Sequence, residues 1–255
     1  MPDTNQSTNP ERVPTDIPGF DELCEGGLLR KRTYLVSGTA GAGKTIFGLQ
    51  YLYNGITNYG ENGIYLSIEE APEKVRENVK QFGWDLKALE DEGKLALIDA
   101  RSVRFGRSST NKSVDIEPLE IRSILEKILI KQEDIDAKRV LIGGAASIGI
   151  SLEDPSKIRI GFMTLSRTLE ILGLTSLILC ETTDDNATSR FGVESFVTDG
   201  TILMYHQRID NLRLRSIEII QMKGSIHSQT THPYEITSKG IVVHPNEEVY
   251  SSKRS

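Results

Sequence analysis

Residues 38–45 read GTAGAGKT, and no other stretch limits the chain so tightly. The octet fits G-x-x-x-x-G-K-[ST], a phosphate-cradling loop that joins a strand to a helix. Gly38, Gly41 and Gly43 let the backbone turn sharply and approach a ligand, while Thr39, Ala40 and Ala42 keep the variable positions small. The loop's N–H groups can then face phosphate oxygens. Lys44 would bring positive charge to the β- and γ-phosphates, and the Thr45 hydroxyl would bind Mg²⁺. The flanks agree with this reading. TYLVSG before the loop reads as a buried strand. TIFGLQYLYNGITNYG after it carries Ile46, Leu49, Leu52, Tyr53 and Ile56 at helical spacing. A helix beginning there adds its own attraction for anions.

The rest of the chain has to supply a sheet around that loop. With 255 residues, 38% of them hydrophobic, it can bury one large α/β core. The net charge of -6 argues against nucleic acid as the main partner, since such a footprint is usually basic. No apolar run reaches membrane-spanning length, and the polar N-terminus lacks the h-region of a signal peptide. Cys24 and Cys180 show neither metal-ligand spacing nor a disulfide framework. A cytoplasmic location is the expectation.

Residues 1–16 read as a flexible polar tail, 17–246 as one domain and 247–255 as a second polar tail. In IPGFDELCEGGL, Ile17, Phe20, Leu23 and Leu28 are placed to pack on the sheet edge. GIYLSIEE reads as the second strand and ends in Glu69 and Glu70. Ligands of open α/β sheets lie beyond the strand carboxyl ends. A carboxylate there can orient or deprotonate the water that attacks a γ-phosphate. Position alone supports equally well a pair of acids complementing the next helix dipole, with Pro72 in its first turn. Trp84 reads as a packing residue. Residues 100–118, with Arg101, Arg104 and Arg107, read as a long basic surface loop.

Strand-like runs LALID, KRVLIGGAAS and TSLILCETT alternate with helical patterns in LEIRSILEKILIKQ and SKIRIGFMTLSRTLEILG. This alternation predicts an α/β fold, a mostly parallel central sheet with helices on both faces. The last third changes. TDGTILMYHQ, LRSIEIIQMKG, HPYEIT and GIVVH alternate apolar and polar residues, and predict an antiparallel extension of that sheet.

Taken together, IPGFDELCEGGL, GTAGAGKT, YLSIEE and RFGVESFVTDGTILM resemble the KaiC-like branch of the RecA-type P-loop ATPases. The likeness runs from about Ile17 to Val243. It implies a RecA-like core, ATP with Mg²⁺, slow hydrolysis, and sites shared between subunits of a homo-oligomeric ring such as a hexamer. It implies Lys44 on phosphate, Thr45 on the metal, and Glu69 and Glu70 as the catalytic carboxylates. Lys223 and His227 would reach a neighbour's nucleotide. A regulatory role implies a protein partner that the sequence does not identify. Single-stranded DNA is the less favoured ligand, through the arginines of the 101–107 loop or Arg208, Arg213 and Arg215.

The sequence makes two departures from that family pattern, at three positions. Gly143 stands where the strand of KRVLIGG should deliver an Asp toward Mg²⁺. Gln221 and Lys223 stand where a Lys and an Arg are usual, and Lys lacks the guanidinium fork. Both changes weaken hydrolysis more than binding. The expectation is a slow or impaired Mg²⁺-dependent ATPase, or a nucleotide-binding module without turnover. Gly143→Asp should raise turnover, unless the glycine is there for close approach.

Overall fold

The computed structural model describes residues 10–101, 121–152, 154–183 and 187–249. Its centre is a nine-stranded sheet in the order β11-β10-β9-β8-β3-β7-β6-β4-β5. The strands are β3 (Thr33–Gly38), β4 (Gly63–Ser67), β5 (Leu95–Asp99), β6 (Arg139–Gly143), β7 (Thr175–Glu181), β8 (Gly200–Ile209), β9 (Leu212–Met222), β10 (His232–Thr237) and β11 (Gly240–Val243). From β5 across to β8 every neighbouring pair is parallel. β9, β10 and β11 continue it antiparallel. Within this sheet, the start of the C-terminal extension differs from the sequence reading. β8 joins the parallel set beside β3, and the reversal begins at the β8–β9 hairpin.

The helices are α1 (Lys44–Tyr59), α2 (Pro72–Val79), α3 (Leu86–Asp91), α4 (Ile121–Ile135), α5 (Ala146–Leu152), α6 (Pro155–Ile171) and the short α7 (Glu194–Val197). They divide between the faces by the period-2 alternation of the strands. Tyr34, Val36, Tyr65, Leu141, Leu177 and Leu179 share one core with Phe47, Leu49 and Leu52 of α1 and Val75 of α2. Leu35, Ile64, Leu66, Val140, Ile142 and Ile178 point the other way, to Ile124 and Ile128 of α4 and Phe162 and Leu165 of α6. Helix ends follow local chemistry. Asp154 caps α6 through N–H bonds from Ser156 and Lys157. Gly83 at φ +78° stops the turn that follows α2.

The N-terminal segment is packed further out than the sequence suggests. Arg12 and Val13 form β1, paired with β2 (Leu28–Leu29), although both fall in the expected tail. Val13 and Thr15 are buried. Arg12 explains the pairing, because its guanidinium donates to the Cys24 and Gly27 carbonyls and to Glu25. Ile17, Phe20, Leu23 and Leu28 are buried in the core that α1 covers, where the sequence placed them on the sheet edge, and the Phe20 and Phe47 rings meet edge to face at 4.9 Å. Trp84 is buried between Tyr53 and Phe82. Most of the basic 100–118 stretch, Arg104 and Arg107 included, lies outside the described residues. Arg101 is within them and pairs with Asp99 at 2.7 Å.

Candidate functional site

β3 delivers Gly38, and the loop to Gly43 hands the chain to α1 at Lys44. Gly43 sits at the helix N-cap with φ +88°, a left-handed conformation that costs a side chain 1–2 kcal/mol or so. No side chain caps α1. Its first N–H groups are therefore left to solvent or a ligand, at the positive end of a 16-residue helix. The loop is braced from behind by the C-terminal extension. Tyr234 donates to the Ala42 carbonyl, and Arg215 donates to the Gly41 carbonyl at 3.4 Å.

Lys44 is buried, and its ammonium donates to the Gly38 and Thr39 carbonyls at 2.8 and 2.9 Å. Burial lowers its pKa below the usual 10.5, while Glu181, Cys180 and Glu69 act against that shift. A desolvated cation held by neutral carbonyls is under-compensated, so an anion in the loop would gain a strong partner.

A cavity of about 230 Å³ opens beside it, lined by Lys44, Thr45, Tyr65, Ser67, Glu69, Glu70, Gly143, Gly144, Leu179 and Glu181. The structure thus brings Lys44, Thr45, Glu69 and Glu70 together, as their sequence positions led us to expect. Neither Glu69 nor Glu70 lies in the first turn of α2. Ala71 is the N-cap and Glu73 the first-turn acid. Glu69 instead accepts a hydrogen bond from Ser147 of α5 at 2.9 Å. The turn that presents Glu70 is closed by Ser67, whose Oγ accepts from the Glu70 N–H and donates to its carbonyl.

Gly143 faces the same cavity, and the space where its side chain would be is filled. A Cβ built there would lie 2.6 Å from Tyr65 Oη and 3.0 Å from Tyr65 Cε2. Burial raises the Tyr65 phenol to about 12, so it stays neutral. Gly144 is no substitute. At φ +79° its Cβ would sit 2.8 Å from Glu69 Cδ. The β6 strand therefore brings no carboxylate to the site.

Sequence reasoning missed Glu181. It ends β7 in register with Gly38, exposed and on the cavity wall. In the sequence it is one acid closing an apolar run. Only the strand order, which inserts β7 between β3 and β6, shows where it goes.

Lys223 and His227 lie elsewhere. Lys223 follows β9 where Met222 pairs with Gly200, and Gly200 in turn pairs with Tyr34 near the start of β3. Gly38 ends the same strand, about 13 Å away at ~3.3 Å per residue. The Lys223 ammonium donates to the Thr198 carbonyl at 2.5 Å, Gln221 to the Ser195 carbonyl at 2.6 Å, and His227 Nδ1 meets the Ser228 carbonyl at 2.8 Å. None of the three lines the cavity.

A phosphate loop on β3, one strand between it and β6, and acids at the end of β4 define a RecA-like P-loop nucleotide-binding domain. Comparison with known proteins makes this specific. The family model "ATPase: KaiC" matches residues 13–248, and the chain belongs to that family. It is similar to UPF0273 protein PH0284 of Pyrococcus horikoshii, 38% identical over 92% of this chain and 94% of that one. It is 34% identical to the circadian clock oscillator protein KaiC of Thermosynechococcus vestitus, over 96% of this chain and 46% of KaiC. The chain therefore spans about half the length of the KaiC proteins it matches. Among solved structures, KaiC-like protein PH0186 from Pyrococcus horikoshii OT3 superposes with a TM-score of 0.79 at 34% identity, covering 92% of this chain and 99% of that one. Among the described residues no helix is long and apolar enough to cross a membrane.

Proposed function

We propose that the protein binds ATP with Mg²⁺ at the 38–45 loop and hydrolyses it slowly, as a nucleotide-dependent switch within a homo-oligomer. The observation that carries this reading is Lys44, a buried cation held, among the described residues, by the loop's own carbonyls alone at the uncapped start of α1. Gly38, Thr39, Ala40, Gly41, Ala42 and Gly43 form the cradle, and Thr45 would hold the metal. The donor set suits Mg²⁺, which keeps several waters and needs one or two protein oxygens beside the phosphates. Among the described residues no group of three metal-ligating side chains exists, so the metal would come with the nucleotide. Glu69 and Glu70 orient or deprotonate the attacking water.

The oligomer is supported by the family resemblance, which assigns Lys223 and His227 to a neighbour's nucleotide, and by their absence from the lining of their own chain's cavity. In this reading a second copy presents its loop to them. Light scattering with a non-hydrolysable ATP analogue should show a ring-sized assembly, and a monomer at high concentration would refute the switch. Phosphate release tests the chemistry. Glu69→Gln with Glu70→Gln should slow it by roughly 10²–10⁴-fold while ATP still binds. An undiminished rate would remove both acids from the mechanism. A native protein that binds ATP and releases no phosphate would be a binding module, the reading favoured by the missing β6 carboxylate.

A further inference from the structure

We propose that Glu181 is the metal-positioning carboxylate of this site, taking over the task that β6 leaves undone at Gly143. The proposal rests on the ATP–Mg²⁺ reading above and adds a residue to it. Three observations converge. First, the side-chain space at Gly143 is closed by the Tyr65 ring, with Tyr65 Oη 2.6 Å from where a Cβ would be. With that space taken by the Tyr65 ring, β6 brings no carboxylate to the metal, and a strand beside it is placed to supply one.

Second, β7 is that neighbour. It lies between β3 and β6, and Glu181 is the residue paired with Gly38. Its carboxylate leaves the sheet where the phosphate loop begins, on the cavity wall with Thr45. Third, the carboxylate is uncommitted. Glu69 is engaged by Ser147, whereas the Glu181 side chain makes no hydrogen bond or ion pair to another described residue. The cation that shares the cavity wall with it is Lys44. One hydroxyl from Thr45 and one carboxylate from Glu181 match what Mg²⁺ takes from protein when phosphates and water complete its shell.

A carboxylate that serves the metal has a signature that a mere neighbour of Lys44 lacks. Without metal, Glu181 repels the triphosphate, so its removal leaves ATP affinity in EDTA unchanged or improved. With Mg²⁺ present the same removal loses affinity. ATP binding to the full chain should therefore be titrated calorimetrically in EDTA and across Mg²⁺ concentrations, for native protein and Glu181→Gln. We expect the Mg²⁺-dependent gain to fall by about 10–100-fold, the usual worth of a metal's supporting partner. Glu181→Asp, which keeps the charge, should retain part of the gain. The electron paramagnetic resonance signal of Mn²⁺ in place of Mg²⁺ should show weaker retention of the ion by Glu181→Gln with ATP bound. An unchanged Mg²⁺ gain, or an affinity change equal in EDTA and Mg²⁺, overturns the assignment and leaves the ATP reading intact. A native protein that binds no ATP overturns both. The melting temperature without nucleotide shows whether each variant is folded, and Glu181→Asp carries the test if Glu181→Gln is not.

Discussion

Where β3, β4 and β6 begin, Glu61 takes Arg139 Nε at 2.7 Å and an Arg30 guanidinium nitrogen at 2.6 Å. Arg139 is fully buried, also donates to the Tyr51 carbonyl, and stacks 4.7 Å from the Tyr51 ring centre. Where the same strands end, the Lys44 ammonium bonds to carbonyls alone among the described residues, and the Glu70 and Glu181 carboxylates meet no described cation at bonding distance. The same residue types are thus used in opposite ways at two ends of one sheet. At the amino ends, charges are paired inside the protein, and their energy is spent on the fold. At the carboxyl ends, charges of both signs share a cavity without neutralising one another, and a polyanion with a divalent cation would complete the set.

Breaking the paired end should give the largest effect on stability. Glu61→Gln leaves Arg139 buried without its counter-charge, a loss of about 3–5 kcal/mol. Urea melts measure it, and ATP affinity should be unchanged if the protein is still folded. The pH dependence has a fixed sign. Burial pushes the Glu61 carboxyl up, but its bonds from Arg30 and Arg139 outweigh that and hold it below 4.5. The folded state thus binds its proton later than the unfolded chain. The stabilisation is complete above pH 4.5 and lost as pH falls through the lowered value. Native protein should lose melting temperature in that acid window, and Glu61→Gln should lack this component. Parallel acid curves for the two proteins would show that the pair contributes nothing.

Breaking the open end should cost the free protein little and the complex much. ATP with Mg²⁺ at about 100 times its dissociation constant should stabilise native protein by roughly 2.7 kcal/mol. Lys44→Ala should remove most of that gain. Equal melting temperatures for native protein with and without ATP, over a wide titration, would refute the binding site itself.

The sequence revealed most of the open end and little of the closed one, for physical reasons. A phosphate loop is local, so eight consecutive residues define it and its flanks name the strand and the helix. Glu69 and Glu70 were legible because they close a strand. The Arg30–Glu61–Arg139 cluster joins three separated segments, and no spacing announces it. Tyr65 lies within the strand-like run GIYLSIEE with nothing to single it out, yet it decides what Gly143 can do. Short α3 and α5 went unseen because six or seven residues carry too little periodicity. Packing on the sheet, rather than propensity, holds helices of that length. β8 was expected among the antiparallel strands because alternation gives strand character and says nothing about which neighbour it meets.

The smallest effect, and the sharpest probe of the open end, is at Gly143. The sequence led us to expect that Gly143→Asp would restore a metal-directed carboxylate and raise turnover. The structure sets a condition on that outcome, because the new Cβ would stand 2.6 Å from Tyr65 Oη and 3.0 Å from its ring. Crowding of this kind typically costs about 1–3 kcal/mol, so Gly143→Asp alone should lower the melting temperature without a gain in rate. Gly143→Asp with Tyr65→Leu makes room for the acid and keeps an apolar side chain toward the core. That double variant should recover the lost stability and release phosphate faster than the native protein. Gly144→Asp should do neither, since φ +79° and Glu69 Cδ at 2.8 Å oppose it twice. Phosphate release against Mg²⁺ concentration, with melting temperature alongside, separates these cases. A well-folded Gly143→Asp single variant with raised turnover would show that the Tyr65 ring yields easily and that the β6 position was merely vacant. A stable double variant without a gain would show that a carboxylate at the β6 position adds nothing to what the site already has.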